Sequence, residues 1–268
     1  MDRELTVAGV QLNITWEDPE SNFRSAEALI RQAADRGARL VVLPEMFATG
    51  FSMASDHLTG HADAIREFVR AQAVRHGVWL IAGLAARDGG VAFNEAALFA
   101  PDGAERLSYR KIHPFTLAGE DKIYGAGEHV VTASVDGVRV TPLICYDLRF
   151  TELFRSSAMD TDLFVVVANW PDRRSHAWRI LLQARAIDCQ AWVLGVNRVG
   201  RDGNDVPHRG DTALVEPMGD VVADLAWDEG VVSGTVDPGR VRVVRDRYPF
   251  LTDRRPDVYG RLGRETED

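Results

Sequence analysis

The sequence predicts a layered α/β sandwich, and three observations carry that expectation. Short apolar strands alternate with amphipathic helices, and the alternation occurs twice along the 268 residues. Strand pairs of antiparallel type lie between the alternating units, which favours packed sheets over one doubly wound sheet. Several buried strands end on a polar residue, as in open α/β sheets whose sites lie outside the carboxyl ends of the strands. No repeat, linker or low-complexity block interrupts the chain. One domain is therefore expected over residues 1–247, followed by a tail, 248–268, that wraps it or is partly mobile.

Leu5 to Gln11 reads as the first strand. Ser21 to Arg36 has helical spacing, with Phe23, Ala26, Leu29, Ile30 and Ala33 on one face and Gly37 as the stop. Arg39 to Leu43 is a continuous apolar strand closed by Pro44 and Glu45. A second amphipathic helix runs from His61 to His76, stopped by Gly77, and the strand Val78 to Ala82 follows. Ala92 to Ala100 is a strand ending in the turn Pro101-Asp102-Gly103. Val130 to Gly137 leads hairpin-like into the strand Val138 to Ile144, which delivers Cys145. Phe150 to Met159 is expected to be helical, Leu163 to Ala168 a buried strand and Ser175 to Gln190 a helix. Trp192 to Val196 is a further strand. Thr212 to Val236 reads as antiparallel strands around Pro217-Met218-Gly219-Asp220.

Composition narrows the function. Hydrophobic content of 46% and charged content of 26% are ordinary for a globular enzyme-sized core. The net charge of −9 opposes binding to a phosphate backbone, so no nucleic-acid partner is expected. Two cysteines fit a reducing compartment rather than a disulfide scaffold. No signal-peptide pattern or bilayer-length apolar run is visible, so a cytoplasmic protein without a membrane partner is expected. His57 and His61 stand four apart, but a glycine intervenes and no zincin glutamate is present. No metal site is expected there.

Three strand-end residues carry the chemistry. Cys145 closes a buried strand, where a thiol meets polar groups; Cys189, inside a helix, is read as packing. Of 31 basic residues only Lys111 and Lys122 are lysines, so a retained lysine marks a place where the broad guanidinium would fail. Lys111 follows the strand-like run Leu107 to Arg110, whereas Lys122 is read as a surface residue. Glu45 closes its strand after a proline.

At these residues the chain resembles the nitrilase superfamily of carbon–nitrogen hydrolases, from Leu5 to about Arg247. The likeness rests on Leu-Pro-Glu-Met-Phe around Glu45, Tyr-Arg-Lys-Ile-His around Lys111 and Ile-Cys-Tyr-Asp-Leu-Arg-Phe around Cys145. The omega-amidase branch is the nearest, through Glu45 to Phe51, Val167 to Pro171, Gln183 to Ile187, Asn197 to Gly200 and Arg209 to Asp211. The resemblance implies a four-layer α-β-β-α sandwich, a homodimer or higher homo-oligomer, and no metal or organic cofactor. It implies a small ω-amide substrate of the 2-oxoglutaramate or 2-oxosuccinamate class. A second glutamate is implied beyond the lysine; Glu120 is the candidate and Glu128 the alternative.

The residue types suit amide hydrolysis. An ammonium beside Cys145 would depress the thiol pKa and supply thiolate. Glu45 would accept the thiol proton, Cys145 would form a thioester, and Lys111 with the Tyr146 N–H would hold the oxyanion. Arg174 is the candidate for the substrate carboxylate, ahead of Arg149, which is expected to pair with Asp147 or a neighbouring subunit. Trp170 and Phe47 are expected to wall the pocket. A nitrilase, an N-carbamoyl amidohydrolase or a non-catalytic protein on the same fold remain as alternatives.

Overall fold

The computed structural model describes residues 4–259. Its strands are β1 (Leu5–Gln11), β2 (Leu40–Val42), β3 (Trp79–Asp88), β4 (Val91–Phe99), β5 (Glu105–Arg110), β6 (Tyr124–Gly125), β7 (Ala133–Val135), β8 (Val138–Ile144), β9 (Leu163–Ala168), β10 (Trp192–Asn197), β11 (Val199–Arg201), β12 (Pro207–Val215), β13 (Val221–Ala226) and β14 (Gly230–Val236). The helices are α1 (Pro19–Asp35), α2 (Ser55–Thr59), α3 (Ala62–His76), α4 (Thr151–Ser157), α5 (Ser175–Cys189), α6 (Pro238–Arg247) and α7 (Pro256–Tyr259).

The strands form two sheets. The first has the order β14-β1-β2-β3-β4-β5, with β6 beside β4; the second has β11-β12-β10-β9-β8-β7, with β13 on β12. Each is built on a parallel trio, β1-β2-β3 and β8-β9-β10, flanked by antiparallel strands. The fully apolar runs Leu40–Val42 and Leu163–Ala168 are buried throughout, as expected of parallel strands covered on both faces. Helices α1 and α3 cover the first sheet through Ala26, Ile30, Ile65 and Val69, packed with Val41, Leu43 and Leu80. Helices α4 and α5 cover the second through Phe154, Trp178, Leu182 and Ala186, and Val7 and Val42 of the first sheet join the same apolar cluster as Val140 and Val166. The result is the four-layer α-β-β-α sandwich expected from the sequence.

Several boundaries differ for local reasons. α1 starts at Pro19, two residues before the expected Ser21, because Asp18 caps it by accepting from the Ser21 N–H at 3.0 Å and proline suits the first helical position. α3 stops where Gly77 takes a left-handed conformation (φ 62°). β3 runs to Asp88 rather than Ala82, since its small residues pass beneath the turn that carries Glu45. Cys145–Arg149 forms a 3-10 turn ahead of the shorter helix α4. β12 and β13 pair as expected, but β14 leaves their sheet and joins β1 antiparallel, Leu5 opposite Val236. Alternation in Gly230–Val236 specifies a strand without specifying its partner.

Beyond the expected boundary at 247, Leu251 packs into the apolar core and Arg254 donates to the Arg155 carbonyl at 2.6 Å. The remainder of the expected tail, 260–268, lies outside the described residues.

Candidate active site

Both sheets point strand ends at one place. Glu45 follows β2, Lys111 follows β5, Cys145 follows β8 and Asn169 follows β9. Glu45 enters a tight turn in which Met46 has φ 44°, and Gly83 of β3 lies directly beneath. A Cβ on Gly83 would stand 2.5 Å from the Glu45 Cα and 2.7 Å from the Pro44 oxygen, so only glycine lets β3 approach this closely. The Phe47 N–H donates to the Gly83 carbonyl at 3.1 Å, which fixes the turn.

Glu45, Lys111 and Glu120 form a buried charge cluster, with side chains 0%, 1% and 0% exposed. Lys111 Nζ donates to Glu45 Oε1 at 3.0 Å and to Glu120 Oε2 and Oε1 at 2.8 and 3.2 Å. Asn94 Nδ2 donates to Glu45 Oε1 at 2.7 Å and Glu120 Oε1 at 2.9 Å. Of the two glutamates considered beyond the lysine, Glu120 lies in this cluster, whereas Glu128 is exposed. Burial alone would lower the Lys111 pKa, but the carboxylates of Glu45 and Glu120 outweigh it and raise it, so the ammonium keeps its charge. The other lysine, Lys122, is exposed.

Asn169 ties the sheets together across this cluster. Its backbone N–H donates to Glu45 Oε2 at 2.8 Å and its Nδ2 to the Glu45 carbonyl at 2.6 Å. Glu120 Oε2 also accepts from the Phe115 N–H at 2.5 Å, which anchors the loop over the site. Neither asparagine is legible as a site residue in the sequence: Asn169 stands in the stretch Val167 to Pro171 without a distinguishing neighbour, and Asn94, in an alternating strand, looks like an outward polar residue.

Cys145 sits on a sharp elbow with φ 45°, a conformation costly for any residue with a Cβ. Asp147 holds that elbow. It is fully buried, and its carboxylate accepts from the Ile144 N–H at 3.1 Å, the Tyr109 hydroxyl at 2.7 Å and the His113 N–H at 3.0 Å. One carboxylate thus clasps the nucleophile turn to the segment bearing Lys111. Arg149, expected to pair with Asp147, instead lies 5.0 Å over the Trp170 ring, since the acceptor sites of Asp147 face inward. The first N–H groups of the 3-10 turn, Tyr146 among them, have no acceptor within it.

The thiol pKa departs from the sequence expectation. Burial pushes Cys145 well above the ordinary thiol range and Glu45 adds to this, while Lys111 opposes both. Attack by this sulfur therefore calls for a proton acceptor beside it. Cys189 is fully buried and pushed up to about 12 by its burial, in keeping with a packing role.

A cavity of about 370 Å³ opens over Cys145 and Lys111. Phe51, Phe115, Tyr146 and Trp170 form its apolar walls, and His208 lines it from β12. The backbone N–H of Trp170 donates to Asn197 Oδ1 at 2.7 Å, and Asn197 Nδ2 returns a bond to the Trp170 carbonyl at 2.9 Å, fixing the indole. Phe47 does not line the cavity. Held by Gly83, it is buried in the helix layer with its ring 6.2 Å from Phe23 and 6.0 Å from Phe68; Phe51 takes the wall position. Arg149, Arg173 and Arg174 also line the cavity, and no described carboxylate pairs with them. Arg174 stacks over Phe115 at 5.2 Å; burial, then Arg173 and Arg149, lowers its pKa. In a chain of net charge −9 this rim is locally positive.

A thiol elbow against a buried Glu–Lys–Glu cluster, set at the meeting of two sheets, defines a cysteine hydrolase site on an α-β-β-α sandwich. The chain belongs to the carbon–nitrogen hydrolase family, whose sequence model matches residues 6–246. It is 33% identical over 250 residues to the protein named Omega-amidase YafV of Escherichia coli (strain K12), spanning 93% of this chain and 96% of that one. It is 31% identical to the 2-oxoglutaramate amidase of Bacillus subtilis (strain 168), spanning 95% and 99%. Among solved structures, a CN-hydrolase superfamily protein of Xanthomonas campestris with an arsenic adduct in its active site is 34% identical. It superposes with a TM-score of 0.90 over 94% of this chain and 98% of that one.

Proposed function

We propose that the protein is an omega-amidase, hydrolysing a short 2-oxo-ω-amide such as 2-oxoglutaramate or 2-oxosuccinamate to the dicarboxylate and ammonia. The observation that carries this reading is the pairing of the Cys145 elbow, in one cavity, with a rim of guanidiniums that no described carboxylate pairs. An amide is attacked at the buried end while a distant carboxylate needs a cation, and arginine supplies a fork matched to it.

Glu45 takes the proton of the resting thiol as Cys145 attacks the amide carbon. Lys111 and the Tyr146 N–H receive the charge that develops on oxygen; a single such donor is typically worth about 3 kcal/mol. Glu45 then delivers the proton to the departing ammonia, leaving a thioester, and activates the water that releases the acid. Glu120 holds Lys111 in place. Arg174, stacked on Phe115, receives the carboxylate, and Trp170 and Phe51 wall the carbon chain. Ile180 and Ile187, about two turns apart on helix α5, are exposed apolar side chains, which supports a second copy of the chain on that helix face and is checked by light scattering. Two unbridged cysteines suit the cytoplasm.

Ammonia release across ω-amides, ureido acids and nitriles tests the substrate class; preference for nitriles or ureido acids would overturn it. Arg174→Ala should reduce kcat/KM for the acid about ten- to hundred-fold relative to its uncharged analogue, the worth of a charge-assisted contact. An unchanged ratio would move the carboxylate contact to another residue.

A further inference from the structure

We infer that Asn94 is a positioning residue of the reaction: its amide bridges the two buried glutamates and keeps Glu45 competent as a base. This inference rests on the Cys145–Glu45 reading above. Both hydrogens of Asn94 Nδ2 are used, one toward Glu45 Oε1 at 2.7 Å and one toward Glu120 Oε1 at 2.9 Å. Carboxylate oxygens accept, so the nitrogen and not the oxygen of the side-chain amide faces them. The same residue fixes the third member through its backbone, because the Lys111 N–H donates to the Asn94 carbonyl at 2.9 Å. Its side-chain oxygen is buried without a partner, a cost that the two bonds to carboxylates offset.

The charge balance explains why a neutral bridge is needed. Two buried glutamate side chains share the one ammonium of Lys111. An apolar residue would leave the two carboxylates to repel each other across a single cation. The amide donates to both without adding charge. The titratable groups facing Glu45 are Lys111, Glu120, Cys145 and Tyr124, so Asn94 is the uncharged side chain in contact with both glutamates.

Loss of a donor to a carboxylate raises its proton affinity. The acid limb of the kcat/KM profile should therefore move to higher pH, by about one unit or more, in Asn94→Ala and in the isosteric Asn94→Asp. At neutral pH kcat should fall about 100-fold, with KM within about threefold, because the group does not touch substrate. Near-wild-type thermal melts identify the folded variants, and Asn94→Asp decides if the alanine variant does not fold. A folded variant whose acid limb stays within about 0.3 unit of wild type overturns the inference. Cys145→Ala is measured alongside: if it still releases ammonia, the underlying reading fails and the inference falls with it. Cys145-dependent turnover with an unmoved acid limb overturns the role of Asn94 alone.

Discussion

At the scale of single residues, the site depends on a compact cation. Lys111 Nζ reaches three carboxylate oxygens between 2.8 and 3.2 Å while only 1% exposed, a space shaped for an ammonium. Lys111→Arg preserves charge but brings a broad planar fork, and a small displacement of a catalytic group can cost about 100-fold. Ammonia release from this variant should fall at least that far, whereas Lys122→Arg should be silent. Equal tolerance of both would remove Lys111 from the chemistry. The resting state of Cys145 shows how residue-level reasoning stops at pairs. Proximity to lysine argues for a thiolate, but the structure surrounds the same sulfur with Glu45 and burial, and these dominate.

At the scale of elements, the strand ends were legible and their partners were not. Glu45, Lys111 and Cys145 each close an apolar or strand-like run, so their placement at strand ends follows from the sequence, and the packing of the two sheets brings those ends together. Asn94 lies inside β4 and Asn169 just past β9, and only packing of the two sheets turns them toward Glu45. Phe47 shows the reverse failure, since its turn rotates it into the helix layer. β14 was legible as a strand, yet its pairing with β1 requires a crossing between sheets that alternation cannot encode. The close passage of β3 beneath the Glu45 turn yields a test. Gly83→Ala sets a Cβ 2.5–2.8 Å from backbone atoms of Pro44, Glu45 and Met46, so the turn must move. We expect a loss of about 1–3 kcal/mol in unfolding free energy and a fall in kcat/KM of about 100-fold. Activity within threefold of wild type would show that this approach does not position Glu45.

At the scale of the whole molecule, acid stability is linked to the pocket wall. His208 is buried and held uncharged, its pKa lowered to about 4 by burial and then by Arg198, and its Nδ1 lies 3.0 Å from the Val206 carbonyl. In the unfolded chain a histidine titrates near 6.5. Above that pH neither state binds the proton. Between about 6.5 and 4 the unfolded state binds it and the folded state does not, so stability falls as pH falls, by up to about 3 kcal/mol. Urea unfolding at pH 7 and 4.5 should show a smaller pH-dependent loss in His208→Gln than in wild type; equal losses would exclude this linkage. The distribution of amines across the fold has a practical outcome of another kind. With Lys111 enclosed and holding its proton, Lys122 is the lysine that an amine-directed dye can meet. Labelling at mildly alkaline pH should therefore modify Lys122 and spare Lys111, leaving turnover intact, readable by peptide mass and ammonia release, and suited to tethering or fluorescence without engineered handles.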